Sequence, residues 1–221
     1  HNLEVICSGY KDEDYIKLAL YGQKLGIAVD IIVEKLSELN LILELSKKLN
    51  IQPRLGVRVR LSSLGKGNWQ NTGGVKSKFG LTSLQLLAFI EQLKTTNNLD
   101  KLKVLHFHMG SQIADLADIQ SGLKEGVRLY AEINRSGAKL EAIDVGGGVG
   151  VDYEGTCSRS YCSVNYNLDL YANTVVKIIK EICDQENLSH PKIITESGRA
   201  MAAHQEGLRR GGGHQLLRGE H

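Results

Sequence analysis

Residues 55–61 read LGVRVRL and residues 105–111 read LHFHMGS. An extended strand sends successive side chains to opposite faces. Val57, Val59 and Leu61 therefore share one face, and Arg58 and Arg60 the other. In the second stretch Leu105 and Phe107 oppose His106 and His108. A parallel strand flanked by helices needs its apolar set against those helices. The polar set must then look the other way, into the interior or mouth of a barrel, and a buried arginine there requires an anionic partner. His106 reads as a satisfied structural histidine, whereas His108, nearer the carboxyl end of its strand, reads as functional.

Working outward, short segments rich in Val, Ile and Leu recur at Leu3–Cys7, Ala28–Val33, Leu55–Leu61, Leu102–Phe107, Leu140–Val145 and Lys192–Thr195, each of strand length. Helical stripes lie between them, as at Leu86, Phe89, Ile90 and Leu93, or Tyr171, Thr174, Val175, Ile178 and Ile182. Strand–helix alternation predicts right-handed βαβ units and a parallel sheet, either an open doubly wound sheet or a closed barrel. Periodicity does not choose between the two.

The chain has 221 residues, enough for one substantial core and within the size range of a barrel domain. Its 27 basic and 25 acidic residues leave a formal charge of +2 without a clustered basic stripe, which argues against nucleic acid as a partner. No apolar run approaches a membrane span. The four cysteines, Cys7, Cys157, Cys162 and Cys183, form no Cys-x-x-Cys pair and read as reduced thiols of a cytoplasmic protein; a zinc site on Cys157, Cys162 and a histidine has only weak spacing behind it. The chain opens on His1, which suggests a fragment. Residues 205–221, QEGLRRGGGHQLLRGEH, have no apolar period and read as an unstructured or foreign tail after a domain spanning 1–204.

Three places carry candidate chemistry, all at carboxyl ends of strands, where barrels and open parallel sheets bind ligands. A glycine-rich insertion, 62–78, holds Trp69. The segment Asp144-Val145-Gly146-Gly147-Gly148 can bring backbone N–H groups close to an anion such as phosphate. It lacks the Gly-x-Gly-x-x-Gly spacing of a dinucleotide site, because Val151 stands at the sixth position. The last strand ends in Thr195-Glu196-Ser197-Gly198-Arg199, a carboxylate followed by a guanidinium suited to phosphate. Glu196 and Arg199 could instead simply pair with each other.

These stretches, with GYKD at 9–12, KSKFGL at 76–81, LHFHMGSQI at 105–113, DVGGGVGVDYEGT at 144–156 and TESGRA at 195–200, resemble the barrel-type pyridoxal-phosphate decarboxylases over residues 3–204. Gln112, the Trp69 loop and Asp152–Thr156 look like the arginine branch. The resemblance implies an α/β fold, a partial (β/α)8 TIM barrel with about six of eight strands, and decarboxylation of L-arginine to agmatine on a polyamine route. It implies pyridoxal 5'-phosphate as cofactor, with His108 stacked on the ring, Glu196 on the pyridinium nitrogen, and Ser111, Gly146, Gly147, Gly148, Gly198 and Arg199 on the phosphate. Arg58 matches an arginine near the cofactor. It also implies a homo-oligomer in full-length form and raises Mg2+ dependence, for which the sequence offers no ligand cluster.

There are departures from the family pattern. Its Schiff-base lysine lies on the first barrel strand, upstream of the segment matching Val5–Asp12, and Lys11 does not match it; the chain alone is therefore expected to show little decarboxylation. Ser8 stands where Asn is usual, and Val75 where an acidic residue is expected. The last barrel strand and a carboxyl-terminal β-domain are expected beyond this chain. Six strands cannot close an eight-stranded barrel, so two exposed edges and marginal stability are expected. Asp152, Tyr153 and Glu154 are candidates for the substrate guanidinium. The alternatives are another basic amino acid (ornithine, lysine or diaminopimelate), a non-catalytic barrel relative that binds a partner, and a phosphate-binding barrel enzyme without pyridoxal phosphate.

Overall fold

The computed structural model describes residues 4–63, 79–153, 155–158 and 163–202. The Trp69 and Val75 positions, Lys76–Lys78, Glu154, Cys162 and the tail from Gln205 lie outside them. Strands and helices alternate: β1 (Glu4–Cys7), α1 (Glu13–Lys24), β2 (Ala28–Val33), α2 (Leu36–Leu49), β3 (Arg54–Val59), α3 (Ser83–Thr95), a 3-10 turn (Leu99–Lys101), β4 (Leu102–Phe107), α4 (Leu116–Arg135), β5 (Ala142–Asp144), α5 (Leu168–Gln185) and β6 (Lys192–Ile194). All six strands are parallel and lie in the order β1-β2-β3-β4-β5-β6, so β1 and β6 each have one strand neighbour. Among the described residues, no helix is long and apolar enough to cross a membrane.

Local chemistry sets the helix ends. Asp12 caps α1 by accepting from the Tyr15 amide at 2.8 Å, and Thr82 with Gln85 forms a reciprocal capping box at α3. α2 stops at Asn50, which takes the left-handed conformation at φ 52°. The helices cover one face of the sheet, where Leu55, Val57, Leu105, Phe107, Ile143 and Val145 are fully buried. Each such side chain contributes about 1.5–3 kcal/mol by leaving water.

The other face is layered. The register aligns Ile32, Gly56, Val104 and Ala142 into an apolar row, and Ile32, Val104 and Ala142 form a second small core flanked by Ile6 and Ile194. Gly56 is required there, since a Cβ would stand 2.3 Å from Ile32 Cδ1. Towards the strands' amino ends lies a charged belt. Arg54 Nε is 3.0 Å from Asp30 Oδ1 and its Nη2 3.2 Å from Glu141 Oε2, while Lys103 Nζ is 2.8 Å from Glu141 Oε1. Lys192 of β6 pairs with Glu4 of β1, so the two edge strands approach each other although they share no ladder.

The observed strands differ from the expected segments chiefly at their ends. β5 is shorter than Leu140–Val145 because the Leu140 backbone is held by α4: its N–H donates to Asn134 Oδ1 at 3.1 Å, and its carbonyl accepts from Tyr130 Oη at 3.1 Å. β3 begins at Arg54 and ends at Val59. Beyond it, Arg60 and Leu81 exchange a single backbone bond as the chain returns.

Candidate active site

A polar row crosses the sheet one step above the apolar one, at the carboxyl ends of the strands. Register pairs Arg58 with His106 and His106 with Asp144, and Glu34 follows β2 at the same height. Arg58 meets the anion its burial demands: Nη1 donates to Glu34 Oε1 at 3.0 Å. Phe79 lies 5.7 Å from the guanidinium on another side. Glu34 Oε1 also accepts from the Gly9 amide at 3.0 Å, and its Oε2 is buried with no partner. Behind it, Glu38 accepts from the Glu34 amide at 2.8 Å and stands 3.4 Å from the buried Lys11 ammonium, which donates to the Gly9 carbonyl. Lys11 is thus held in the wall of the barrel.

His106 is buried, with Nδ1 3.0 Å from Asp144 Oδ2. Neither atom completes a well-angled hydrogen bond, so the contact is a close electrostatic approach rather than a directed bond. Asp144 Oδ1 accepts from the Gly146 amide at 2.9 Å and so sets the start of the glycine turn. Donor atoms of His106, Asp144 and Glu196 lie within 4.8 Å of one another, a cluster that the sequence, read strand by strand, did not disclose. It is the one group among the described residues arranged so that it could hold a metal ion. Its two buried members already face each other.

Electrostatics separates the two polar ends of this site. His108 is pushed down to about 4, first by burial and then by the charges of Arg58 and His106, with Asp144 opposing. Its imidazole is neutral at pH 7. Glu196 is raised instead, first because its neighbours partly exclude water and then because Asp144 adds a second negative charge; His106 and Arg58 oppose the rise. Glu196 remains exposed on one flank.

The glycine turn is packed against both neighbouring loops. A Cβ on Gly146 would meet the Phe107 carbonyl oxygen at 2.7 Å, one on Gly147 the Glu196 carbonyl oxygen at 2.6 Å, and one on Gly148 the Gly110 carbonyl oxygen at 2.1 Å. The Glu196 amide donates to the Gly146 carbonyl at 2.8 Å. Beside this turn is a cavity of about 180 Å³, whose lining includes His108, Ser111, Gly147, Gly148, Glu196 and Arg199. Gly146, Gly198 and Arg58 stand outside that lining. Glu196 and Arg199 do not pair with each other, since no ion pair joins them. A wider cleft of about 790 Å³ lies before β4 and β5 among Lys94, Lys101 and Lys139, on the edge opposite this site.

Asp152 does not face the cavity. Both its oxygens are taken up within its own loop, Oδ1 by the Gly155 amide at 2.9 Å and Ser163 Oγ at 2.7 Å, and Oδ2 by the Cys157 amide at 3.0 Å. Tyr153 is exposed beside it. Two contributors escaped notice in the sequence, Glu34 and Gln112 as a side chain with bonding partners, and Asp144 was read only as the start of the glycine segment. For Glu34 the signal was present, because Asp30, Ile32 and Glu34 repeat in β2 the alternation seen in β3.

Known proteins resemble this chain in sequence and fold. The family described as "Pyridoxal-dependent decarboxylase, pyridoxal binding domain" matches residues 4–203. The chain is 54% identical over 200 residues to the biosynthetic arginine decarboxylase of Alkalilimnicola ehrlichii and 56% identical to that of Marinobacter nauticus, covering 90% of this chain but 32% and 31% of those proteins. It thus spans about a third of the curated relatives it matches. Among solved structures, the biosynthetic arginine decarboxylase SpeA from Campylobacter jejuni superposes with a TM-score of 0.76 at 34% identity, over 89% of this chain and 31% of that one. A diaminopimelate decarboxylase from M. jannaschii, at 20% identity and TM-score 0.69 over 90% of this chain and 44% of that one, shares the fold.

The site suits a pyridoxal cofactor. Its lining sets a guanidinium, a hydroxyl and the glycine turn where a phosphate could be held, with a neutral imidazole that offers a flat face and a carboxylate in the same cavity. With its six-stranded partial barrel and this match over residues 4–203, the chain belongs to the pyridoxal-binding domain family of the pyridoxal-dependent decarboxylases.

Proposed function

We propose that the protein carrying this domain decarboxylates L-arginine to agmatine and carbon dioxide, with this domain as its cofactor seat. The observation that carries the reading is that the glycine turn, the neutral His108 and the Glu196 carboxylate surround one cavity, in a chain 52–56% identical to proteins named biosynthetic arginine decarboxylase. Pyridoxal phosphate, when bound, supplies a ring that accepts the electron pair left as carbon dioxide departs.

The chain's own residues do the holding. Ser111, Gly147 and Gly148 line the phosphate seat, with the Arg199 guanidinium as its charge partner and Gly146 and Gly198 in the turns that carry them. His108 would offer its neutral imidazole to the cofactor ring, adding no positive charge beside it. Glu196 would be the carboxylate partner for the ring nitrogen. Asp144 strengthens it as a proton acceptor, because a second nearby anion raises its affinity for a proton. Arg58, fixed by Glu34, limits that effect. Asp152 shapes the loop that carries Tyr153, and Tyr153 is the candidate for the substrate side. Cytoplasmic location, a homo-oligomeric holoenzyme, a place in polyamine synthesis and Mg2+ dependence accompany this reading.

The test is an assay of the full native-length protein with arginine, ornithine, lysine and diaminopimelate in parallel. Agmatine from arginine, with little amine from the others, is the expected result. Preferential release of carbon dioxide from any other substrate overturns the assignment, and no release from any of the four favours a non-catalytic relative.

A further inference from the structure

Gln112 borders the cavity, yet both polar atoms of its side chain are engaged with backbone. Its Nε2 donates to the Val151 carbonyl at 2.7 Å, and its Oε1 accepts from the Val151 amide at 3.1 Å. One carboxamide thus replaces a strand neighbour, satisfying both backbone groups of a residue 39 positions away. It joins the loop after β4 to the loop after β5. Two further contacts cross the same seam. The Ile113 amide donates to the Gly148 carbonyl at 3.0 Å, and the Tyr166 hydroxyl accepts from the Gly150 amide at 3.1 Å while donating to the Ile113 carbonyl at 2.7 Å.

The seam holds the backbone in costly places. Gln112 is itself left-handed, at φ 50°, a conformation side chains other than glycine avoid. Gly148, at φ 96°, sits against the Gly110 carbonyl with no room for a Cβ. Residues on either side of the cavity, Gly110 and Ser111 on one loop and Gly147 and Gly148 on the other, have their spacing set by this seam. We propose that Gln112 is a positioning residue for the cofactor's phosphate, its carboxamide clasping the glycine turn against the Gly110–Ser111 turn at the separation the phosphate needs. This inference rests on reading the cavity as the phosphate seat. Glutamine alone fits the task. Asparagine is one methylene short, and an ionised glutamate accepts from the Val151 amide but repels its carbonyl.

The experiment compares dissociation constants for pyridoxal 5'-phosphate and for pyridoxal, which lacks the phosphate, on the full native-length protein. The ratio of the two isolates the phosphate's share of binding. In the wild type the phosphorylated form binds far more tightly. In Gln112→Ala, which loses both part-buried hydrogen bonds, and in Gln112→Glu, which loses one and sets a charge against the Val151 carbonyl, the ratio is expected to fall roughly tenfold or more, while the pyridoxal constant moves by about twofold or less. Gln112→Gly, which relieves the left-handed backbone but also removes the clasp, is expected to follow Gln112→Ala; if instead it keeps the wild-type ratio, backbone strain rather than the clasp sets the seat. Should Gln112→Ala fail to fold, Gln112→Met, which retains volume without the bonds, decides. A variant ratio within about twofold of wild type overturns the proposal with the seat intact. A wild type that does not prefer the phosphorylated form overturns the seat itself, and the proposal with it.

Discussion

Glu34 Oε1 stands 3.0 Å from Arg58 Nη1, joining two neighbouring strands at the height of the candidate site. The Glu34 side chain has no solvent access and that of Arg58 is 14% exposed, so each charge depends on the other. Removing one partner strands a nearly buried charge. Glu34→Gln is expected to lower unfolding stability by about 2–4 kcal/mol, below the full cost of a broken buried pair because Arg58 keeps some water. Urea denaturation reads this directly. Glu34→Leu combined with Arg58→Met should recover most of the loss, and a double variant as unstable as the single one would show that the pair is not the source.

His108 gives a pH signature. Its pKa falls from 6.5 to about 4 on folding, so the native state prefers the neutral ring. That contribution is fully present above pH 6.5 and is lost as pH drops towards 4, amounting to about 3 kcal/mol across the window. His108→Gln should flatten this part of the stability profile. A ring resonance that disappears in His108→Gln, and is thereby assigned to His108, titrating near 6.5 in the folded protein would contradict the assignment.

Glycine substitutions separate space from function. Gly148→Ala places a Cβ 2.1 Å from the Gly110 carbonyl oxygen at φ 96° and is expected to cost about 3 kcal/mol or more. Gly198→Ala meets nothing within 4 Å and has no positive φ, so its thermal midpoint should barely move. If Gly198 belongs to the phosphate seat, that alanine weakens pyridoxal 5'-phosphate binding without weakening the fold. Unchanged binding would remove Gly198 from the seat.

Asp30 at the amino-terminal belt should behave differently from Glu34. Its pKa is raised above 3.8, first by burial and against the pull of Arg54. A raised carboxyl contributes stability that is present below 3.8 and lost as pH rises through the folded value. Asp30→Asn leaves Arg54 with Glu141, so the expected loss at pH 7 is about 1.5 kcal/mol or less. A loss equal to that of Glu34→Gln would mean that the belt carries as much as the upper row.

The alternation of LGVRVRL was enough to place Arg58 opposite Val57 and Val59, because a period of two leaves no other choice once one face is apolar. The same rule located β2 and β4 to the residue. It failed at Leu140, where side chains of α4 capture a backbone that the apolar pattern assigns to the sheet. For the site, His108, Glu196 and the glycine turn were visible as residue types at strand ends. Asp152 looked available because it is acidic and on the correct edge, yet its oxygens serve its own loop. The cluster of His106, Asp144 and Glu196 comes from three strands, and the Gln112 clasp depends on a rotamer and a left-handed φ. Neither leaves a mark in a one-dimensional pattern.

The apolar row of Ile32, Val104 and Ala142 lies between the belt around Asp30 and the row around Asp144. Its consequence is that the sheet's inner side is a cup with a dry floor. Among the described residues no polar side chain stands in that row, so the strand axis offers protons and water no polar path between the belt and the upper row, whose open side is the rim. Whatever shuts the rim governs both exchanges at once.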